Sequence, residues 1–248
     1  MPGSFPGTRP EGARDERDAA RSVQDMFSRI APRYDLLNRL LSLSLDRRWR
    51  RRTARALAPR LAAPDSRALD LCCGTADLGL ELARVIAGKV IGSDFAHPML
   101  VLARRKVARS HRVLFLVEAD ALNLPFPDES FDVVTAAFGF RNLANYQRGL
   151  EEIRRVLKPG GEAAILEFSL PERGAFAAFY GFYFRHVLPL VGRAISGVRG
   201  PYSYLPASVE RFPACEEFVG WMEAAGLRPA RCERWTLGTI ALYRGLKA

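Results

Sequence analysis

The chain has 248 residues, 37 Lys+Arg against 27 Asp+Glu, and a formal charge of +10. Nearly half of it is apolar, which supports a buried core and excludes wholesale disorder, and no run approaches the ~20 uninterrupted apolar residues that span a bilayer. The N-terminus has no apolar signal core, Cys72, Cys73, Cys215 and Cys232 follow neither a disulfide framework nor a zinc spacing, and the three histidines stand singly at 97, 111 and 186. A cytoplasmic, metal-free protein is the expectation.

Residues 1–20, rich in Gly, Pro, Arg, Asp and Glu without apolar periodicity, predict a disordered tail ahead of one domain, 21–248. Val23, Met26, Phe27 and Ile30 recur at helical spacing, and a further helical stretch covers 36–57, so residues 21–62 form N-terminal helices. Pro32 and Pro59 punctuate them. Arginine concentrates in DRRWRRRTARALAPR, residues 46–60. That composition suits a solvated helix face, a nucleic-acid phosphate surface or an anionic membrane surface, and does not choose among them.

From Arg67 strands and helices alternate. Strands are expected at 68–71, 90–93, 113–117, 131–138 and 163–168, with helices at 78–86, from Pro98, and at 146–157. Lys158-Pro159-Gly160-Gly161 stops the last of these helices. Such alternation implies a parallel sheet covered on both faces, with ligand at the carboxyl ends of the strands. An aromatic-rich insertion follows at 174–200, then a helix at 215–225 and two strands, 230–236 and 239–246. Those two are so close in sequence that they pair as an antiparallel hairpin.

The strongest local signal is Ala68-Leu-Asp-Leu-Cys-Cys-Gly-Thr-Ala-Asp77. A strand enters a small-residue turn and a helix begins beyond it, so backbone N–H groups are free to approach a ligand. Asp94 closes the second strand, where a carboxylate accepts from ribose hydroxyls, and Asp70 and Asp77 frame the first turn. The three-glycine dinucleotide pattern is absent. Asp120-Ala121 falls just past the third strand, where a polar group beside a small residue can read an adenine edge, and Phe131-Asp132 opens the fourth.

These motifs in order resemble class I S-adenosylmethionine (SAM)-dependent methyltransferases, a fold that ends in such a hairpin. More narrowly, the chain from Val23 onward resembles the ubiquinone/menaquinone biosynthesis C-methyltransferases (the UbiE/MenG family). The resemblance is carried by Tyr34-Asp-Leu-Leu-Asn38 with Ser42 and Trp49, Phe138-Gly-Phe-Arg141-Asn142, and Arg155-Val-Leu-Lys-Pro-Gly-Gly161 continuing to Glu167-Phe-Ser169. Tyr202-Ser-Tyr-Leu-Pro206 with Phe212-Pro213, and Leu237-Gly-Thr-Ile-Ala241 ending in Gly245-Leu-Lys247, match as well. Four positions depart from the family pattern: Ala76 replaces a usual glycine, Asp46 a histidine and Leu37 a methionine, while Ala137 stands where some members carry serine.

The resemblance implies an α/β, Rossmann-like fold, with a seven-stranded mostly parallel sheet, an antiparallel C-terminal hairpin, N-terminal helices and a helical insertion over 170–213 serving as a substrate lid. It implies SAM held by Asp70, Gly74, Thr75, Asp77, Asp94, Phe95, Asp120, Ala121 and Phe138. The reaction implied is methylation of a prenylated quinol ring carbon, with demethylmenaquinol favoured. Arg141 would stabilise the ring oxyanion, Asn142 would bond a ring oxygen, and His186 and Tyr204 would accept the proton or touch the ring. The insertion aromatics Phe176, Phe179, Tyr180, Phe182, Tyr183 and Phe184 would wall the prenyl tail or lie on lipid, with core packing or a homodimer contact as their structural use. Trp49 and Arg47, Arg48, Arg50, Arg51 and Arg52 would meet an anionic membrane. Nucleic acid is not an expected partner, because the aromatics lie apart from the arginines. A methyltransferase of another lipid or a small phenol is the alternative.

Overall fold

The computed structural model describes residues 7–10, 12–42, 44–171, 180–183 and 201–248. Its sheet has seven strands: β1 (Arg67–Leu71), β2 (Lys89–Asp94), β3 (Phe115–Glu118), β4 (Phe131–Ala137), β5 (Leu157–Phe168), β6 (Leu227–Trp235) and β7 (Ile240–Lys247). They lie in the order β3-β2-β1-β4-β5-β7-β6. The first five are parallel, and β7 pairs antiparallel with both β5 and β6. Strand order reverses between β1 and β4, the switch point that opens a crevice beyond their carboxyl ends.

Alternating residues of the central strands feed two cores, as the period of two requires. Leu69, Leu71, Val134, Ala136, Ile165 and Tyr243 face one layer, against α6 (Tyr146–Val156) and α8 (Cys215–Ala224). Ala68, Val90, Val133, Ala164, Leu166 and Leu242 face the other, against α3 (Leu45–Leu57) and α4 (Asp77–Leu82). The remaining described helices are α1 (Glu16–Ile30), α2 (Tyr34–Leu41), α5 (His97–Ser110) and α7 (Pro201–Arg211).

The structure corrects four expectations. The helix expected over 36–57 is two, because Ser42 Oγ turns back to Asp46 Oδ1 (2.8 Å) and Ser44 adopts φ 61°. Order does not wait for residue 21: Asp15 caps α1 by accepting from the Asp18 N–H, and Thr8 is buried. Lys158–Gly161 do not separate a helix from a distant strand. β5 begins at Leu157, directly after α6, and its pairing jumps from Phe131↔Leu157 to Val133↔Glu162, a bulge that absorbs the Pro-Gly-Gly. Cys215 and Cys232 are joined as a disulfide between α8 and β6, with Cα atoms 5.9 Å apart. Sequence spacing cannot show that pairing, since only the return of β6 along α8 creates it. Within the insertion, Tyr180 and Tyr183 pack with Val209, Leu205 and Phe168. Phe176, Phe179, Phe184 and His186 lie outside the described residues.

Candidate active site

At the end of β1 the chain makes its turn with three residues in left-handed conformation: Cys72 (φ 52°), Gly74 (φ 54°) and Ala76 (φ 68°). The departure noted at Ala76 is therefore real strain, a Cβ held where glycine is favoured. The turn is tied to β2 by Asp94, which accepts from the Gly74 N–H (2.8 Å) and the Ala96 N–H (2.9 Å). Burial nonetheless raises the Asp94 carboxyl above its ordinary range, outweighing those two amides.

Above these strand ends lies a cavity of about 690 Å³, lined among others by Gly74, Asp94, Phe95, Asp120, Ala121 and Phe138. A second, smaller cavity of about 270 Å³ takes the other three expected cofactor residues, Asp70, Thr75 and Asp77. Tyr34 and Cys72 line both, so the two are neighbours. All nine residues thus surround one two-part crevice at the switch point.

The two parts differ in chemistry. The larger is mostly apolar, with the Asp94 carboxylate at the end of β2 and the Asp120 side chain at its edge capping the Leu122 N–H (2.9 Å). The smaller contains a buried cation, Arg50, paired with Asp46. It also contains Asp70, whose Oδ1 accepts from Thr135 Oγ1 (3.0 Å) while Oδ2 is buried without a partner. Burial pushes the Asp70 carboxyl up to about 7. A guanidinium and an unsatisfied carboxylate in one cavity match an α-amino-acid zwitterion, and the Asp94 carboxylate suits a ribose diol. The methionyl end of SAM carries such a zwitterion and its nucleoside end such a diol, so these residues fit SAM.

A clasp closes over this loop. Lys106 of α5 reaches Asp77 Oδ1 (2.7 Å), Thr75 Oγ1 (2.8 Å) and Asp35 Oδ2 of α2 (2.7 Å), while Thr75 Oγ1 donates to Asp35 Oδ1 (2.6 Å). The Thr75 hydroxyl is therefore occupied by the protein, and its part in the site is to pin α2 against the cofactor turn.

Beyond β4, Phe138 takes φ 62° and a 3₁₀ turn, Phe140–Asn142, follows. Asn142 lines the larger cavity, and its Oδ1 accepts from the Tyr204 hydroxyl (3.0 Å). Burial raises the Tyr204 hydroxyl above its ordinary value, so it stays protonated. Arg141 differs from the oxyanion partner expected of it. Its guanidinium is buried against Glu167 Oε2 (2.9 Å), donates to Phe138 O, and reaches Ser208 Oγ of α7 (3.3 Å). Its charge is neutralised within the protein. Cys72 and Cys73 have thiols raised well above the ordinary value by burial, which disfavours the nucleophilic thiolate.

The ubiE/COQ5 methyltransferase family model matches residues 13–247. The chain belongs to that family. It is a SAM-dependent methyltransferase, as fold, crevice and family agree. It is 54% identical over 222 residues to the demethylmenaquinone methyltransferase of Thermus thermophilus, covering 89% of this chain and 99% of that one. It is 45% identical over 229 residues to the ubiquinone/menaquinone biosynthesis C-methyltransferase UbiE of Geobacter sulfurreducens, covering 91% and 88%. Among solved structures, a SAM-dependent methyltransferase from Aquifex aeolicus superposes with a TM-score of 0.58 at 21% identity, covering 79% and 89%, which supports the fold.

Sequence reading missed three residues that organise this methyltransferase site: Arg50, Lys106 and Glu167. Arg50 lies one helical turn after Asp46, a spacing that brings both to one face and was visible in the sequence. The basic helix itself faces two ways. Trp49 is buried, donating to Thr236 Oγ1 (2.8 Å), and Arg50 is buried beside it, whereas Arg47, Arg48, Arg51 and Arg52 are exposed. No helix among the described residues is long and apolar enough to cross a membrane.

Proposed function

We propose that this enzyme methylates a ring carbon of a prenylated quinol, demethylmenaquinol in menaquinone biosynthesis, with Asn142 and Tyr204 addressing the ring oxygen. One observation carries the reading: a side-chain amide, held by a tyrosine hydroxyl, is set into the apolar wall of the larger cavity beyond the end of β4. Phe27, Leu122 and Leu143 supply apolar surface around it. The names of the similar enzymes from Thermus and Geobacter point to the same substrate class.

When bound, SAM supplies an electrophilic sulfonium methyl group. The acceptor must then be electron-rich, which a quinol ring is and an oxidised quinone is not. Asp94, Asp70 and Arg50 hold the donor's polar groups in place, and Phe138 and Phe95 keep water from the reacting atoms. The Asn142 amide orients the ring hydroxyl, and Tyr204 fixes which way the amide points. Turnover tests this directly: demethylmenaquinol is methylated under a reductant, and the oxidised quinone is not. Equal rates with both would remove the quinol requirement.

The enzyme works at a membrane surface, as its acceptor requires. Of the exposed arginines of α3, Arg52 stacks over Trp235 (4.2 Å) at the β6–β7 turn, where Leu237 is 74% exposed. A basic and apolar juxtaposition of this kind suits anionic headgroups. Replacing Arg47, Arg48, Arg51 and Arg52 with glutamine should weaken binding to anionic vesicles at low salt. Unchanged binding would remove the membrane role of this face.

A further inference from the structure

The family match begins at residue 13, yet residues 7–9, upstream of it, are fastened to the rim of the larger cavity. Thr8 is 3% exposed. Its backbone N–H donates to Leu143 O (2.8 Å), and Arg211 of α7 donates to Arg9 O (2.8 Å). Gly7 lies so close to Ala144 that a Cβ would sit 1.8 Å from its carbonyl oxygen, so no side chain fits there. Leu143 and Ala144 line the larger cavity, which places this short strap on its rim.

The Thr8 hydroxyl lies 3.0 Å from the Tyr204 hydroxyl. Tyr204 gives its single proton to Asn142 Oδ1 (3.0 Å), so the Thr8 hydroxyl donates to the Tyr204 oxygen. The three side chains form a directed relay, Thr8 to Tyr204 to Asn142, that ends at the cavity wall. Burial keeps Tyr204 from ionising, so the relay orients and does not carry charge away.

We propose that residues 7–9 are a strap that closes the acceptor compartment, and that Thr8 is a positioning residue for acceptor binding, acting through Tyr204. The inference rests on the reading of Asn142 and Tyr204 as the acceptor site. The strap joins the turn after β4 to α7, the two elements between which a large acceptor ring would be gripped, and covering that rim excludes water from the transfer. Thr8→Val keeps the shape and removes the donor. Gly7→Leu displaces the strap, and Thr8 with it, while leaving Tyr204 and Asn142 unsubstituted.

The test is steady-state kinetics with demethylmenaquinol and SAM, on the full chain, for both variants and for Tyr204→Phe. Loss of one hydrogen bond should raise the acceptor KM about 3- to 10-fold in Thr8→Val, while the KM for SAM stays within about twofold. Gly7→Leu should reproduce the acceptor effect, and Thr8→Val should add little on top of Tyr204→Phe. Should both strap variants leave the acceptor KM unchanged while Tyr204→Phe raises it, the strap proposal fails and the acceptor site stands. No change in any of the three removes the acceptor-site reading and the strap with it.

Discussion

Arg141 and Glu167 meet as an enclosed ion pair, with Arg141 Nη1 2.9 Å from Glu167 Oε2 and the Arg141 backbone N–H donating to Oε1 at 3.1 Å. Glu167 is the second-last residue of β5, and Arg141 lies in the turn after β4. Because the same guanidinium reaches Ser208, the pair ties two parallel strands to α7, the helix that carries Tyr204. It anchors α7 near Asn142 and so supports the cavity wall where the acceptor is proposed to bind.

A buried pair of this kind is weak evidence for stability but costly to break from one side. Glu167→Ala leaves the Arg141 cation enclosed and unpaired, and should cost about 3–5 kcal/mol in urea unfolding. A cost under about 1 kcal/mol would mean that water or another group satisfies Arg141.

Asp70 makes the site sensitive to pH. Its carboxyl titrates near 7 in the folded protein, raised by burial, and in the ordinary carboxylate range when unfolded. A group raised in this way favours folding fully below its unfolded value, and that contribution is lost as pH rises to about 7. Binding of an ammonium group favours the ionised form. SAM affinity should therefore fall on acidification below about 7, by up to tenfold per pH unit, and Asp70→Asn should flatten the profile. Calorimetric titration across that window checks it; a flat wild-type profile would separate Asp70 from the ammonium.

The Lys106 clasp is partly exposed, so its stabilising effect is modest. Lys106→Met should cost about 1 kcal/mol and speed hydrogen exchange in α2 more than in α6. The same variant should weaken SAM binding several-fold, because Asp35 and Thr75 then lose the cation that holds α2 over the turn. Uniform exchange in both helices would show that the clasp does not control α2.

Two non-glycine residues in left-handed conformation should respond differently to glycine. Leu237 (φ 55°) is 74% exposed, so Leu237→Gly relieves about 1–2 kcal/mol of strain against a smaller entropic cost and should gain about 0.5–1 kcal/mol. Ala76 (φ 68°) is fully enclosed, and losing its methyl forfeits about 0.8 kcal/mol, so Ala76→Gly should be near neutral. Thermal denaturation of both variants separates strain from burial.

The strands and the residues that line the crevice were legible because they are written locally. Alternating apolar runs mark the strands, and Asp70, Asp94 and Asp120 fall at their ends, where topology makes ligands bind. The organising ions were not legible. Arg50 is one of five arginines among residues 47–52, and only its spacing from Asp46 on the same helix marks it out; Lys106 follows Arg104-Arg105 on α5, and that run does not reveal which member turns inward, because Asp35 and Asp77 come from elsewhere in the fold. Glu167 reads as part of a strand end until Arg141 is brought beside it. Thr8 sits in a stretch whose glycines and prolines signal disorder, yet Gly7 is there because only a bare backbone passes Ala144.

The measurement that bears most directly on this account is mass spectrometry of the acceptor after incubation with SAM carrying a deuterated methyl group. Demethylmenaquinol and a demethylated benzoquinol would each be tried with and without reductant. A labelled methyl on a ring carbon of the naphthoquinol, formed only under reductant, is the predicted result. Firm SAM binding with no labelled product from either acceptor would contradict the quinol assignment and leave a methyltransferase with a different substrate.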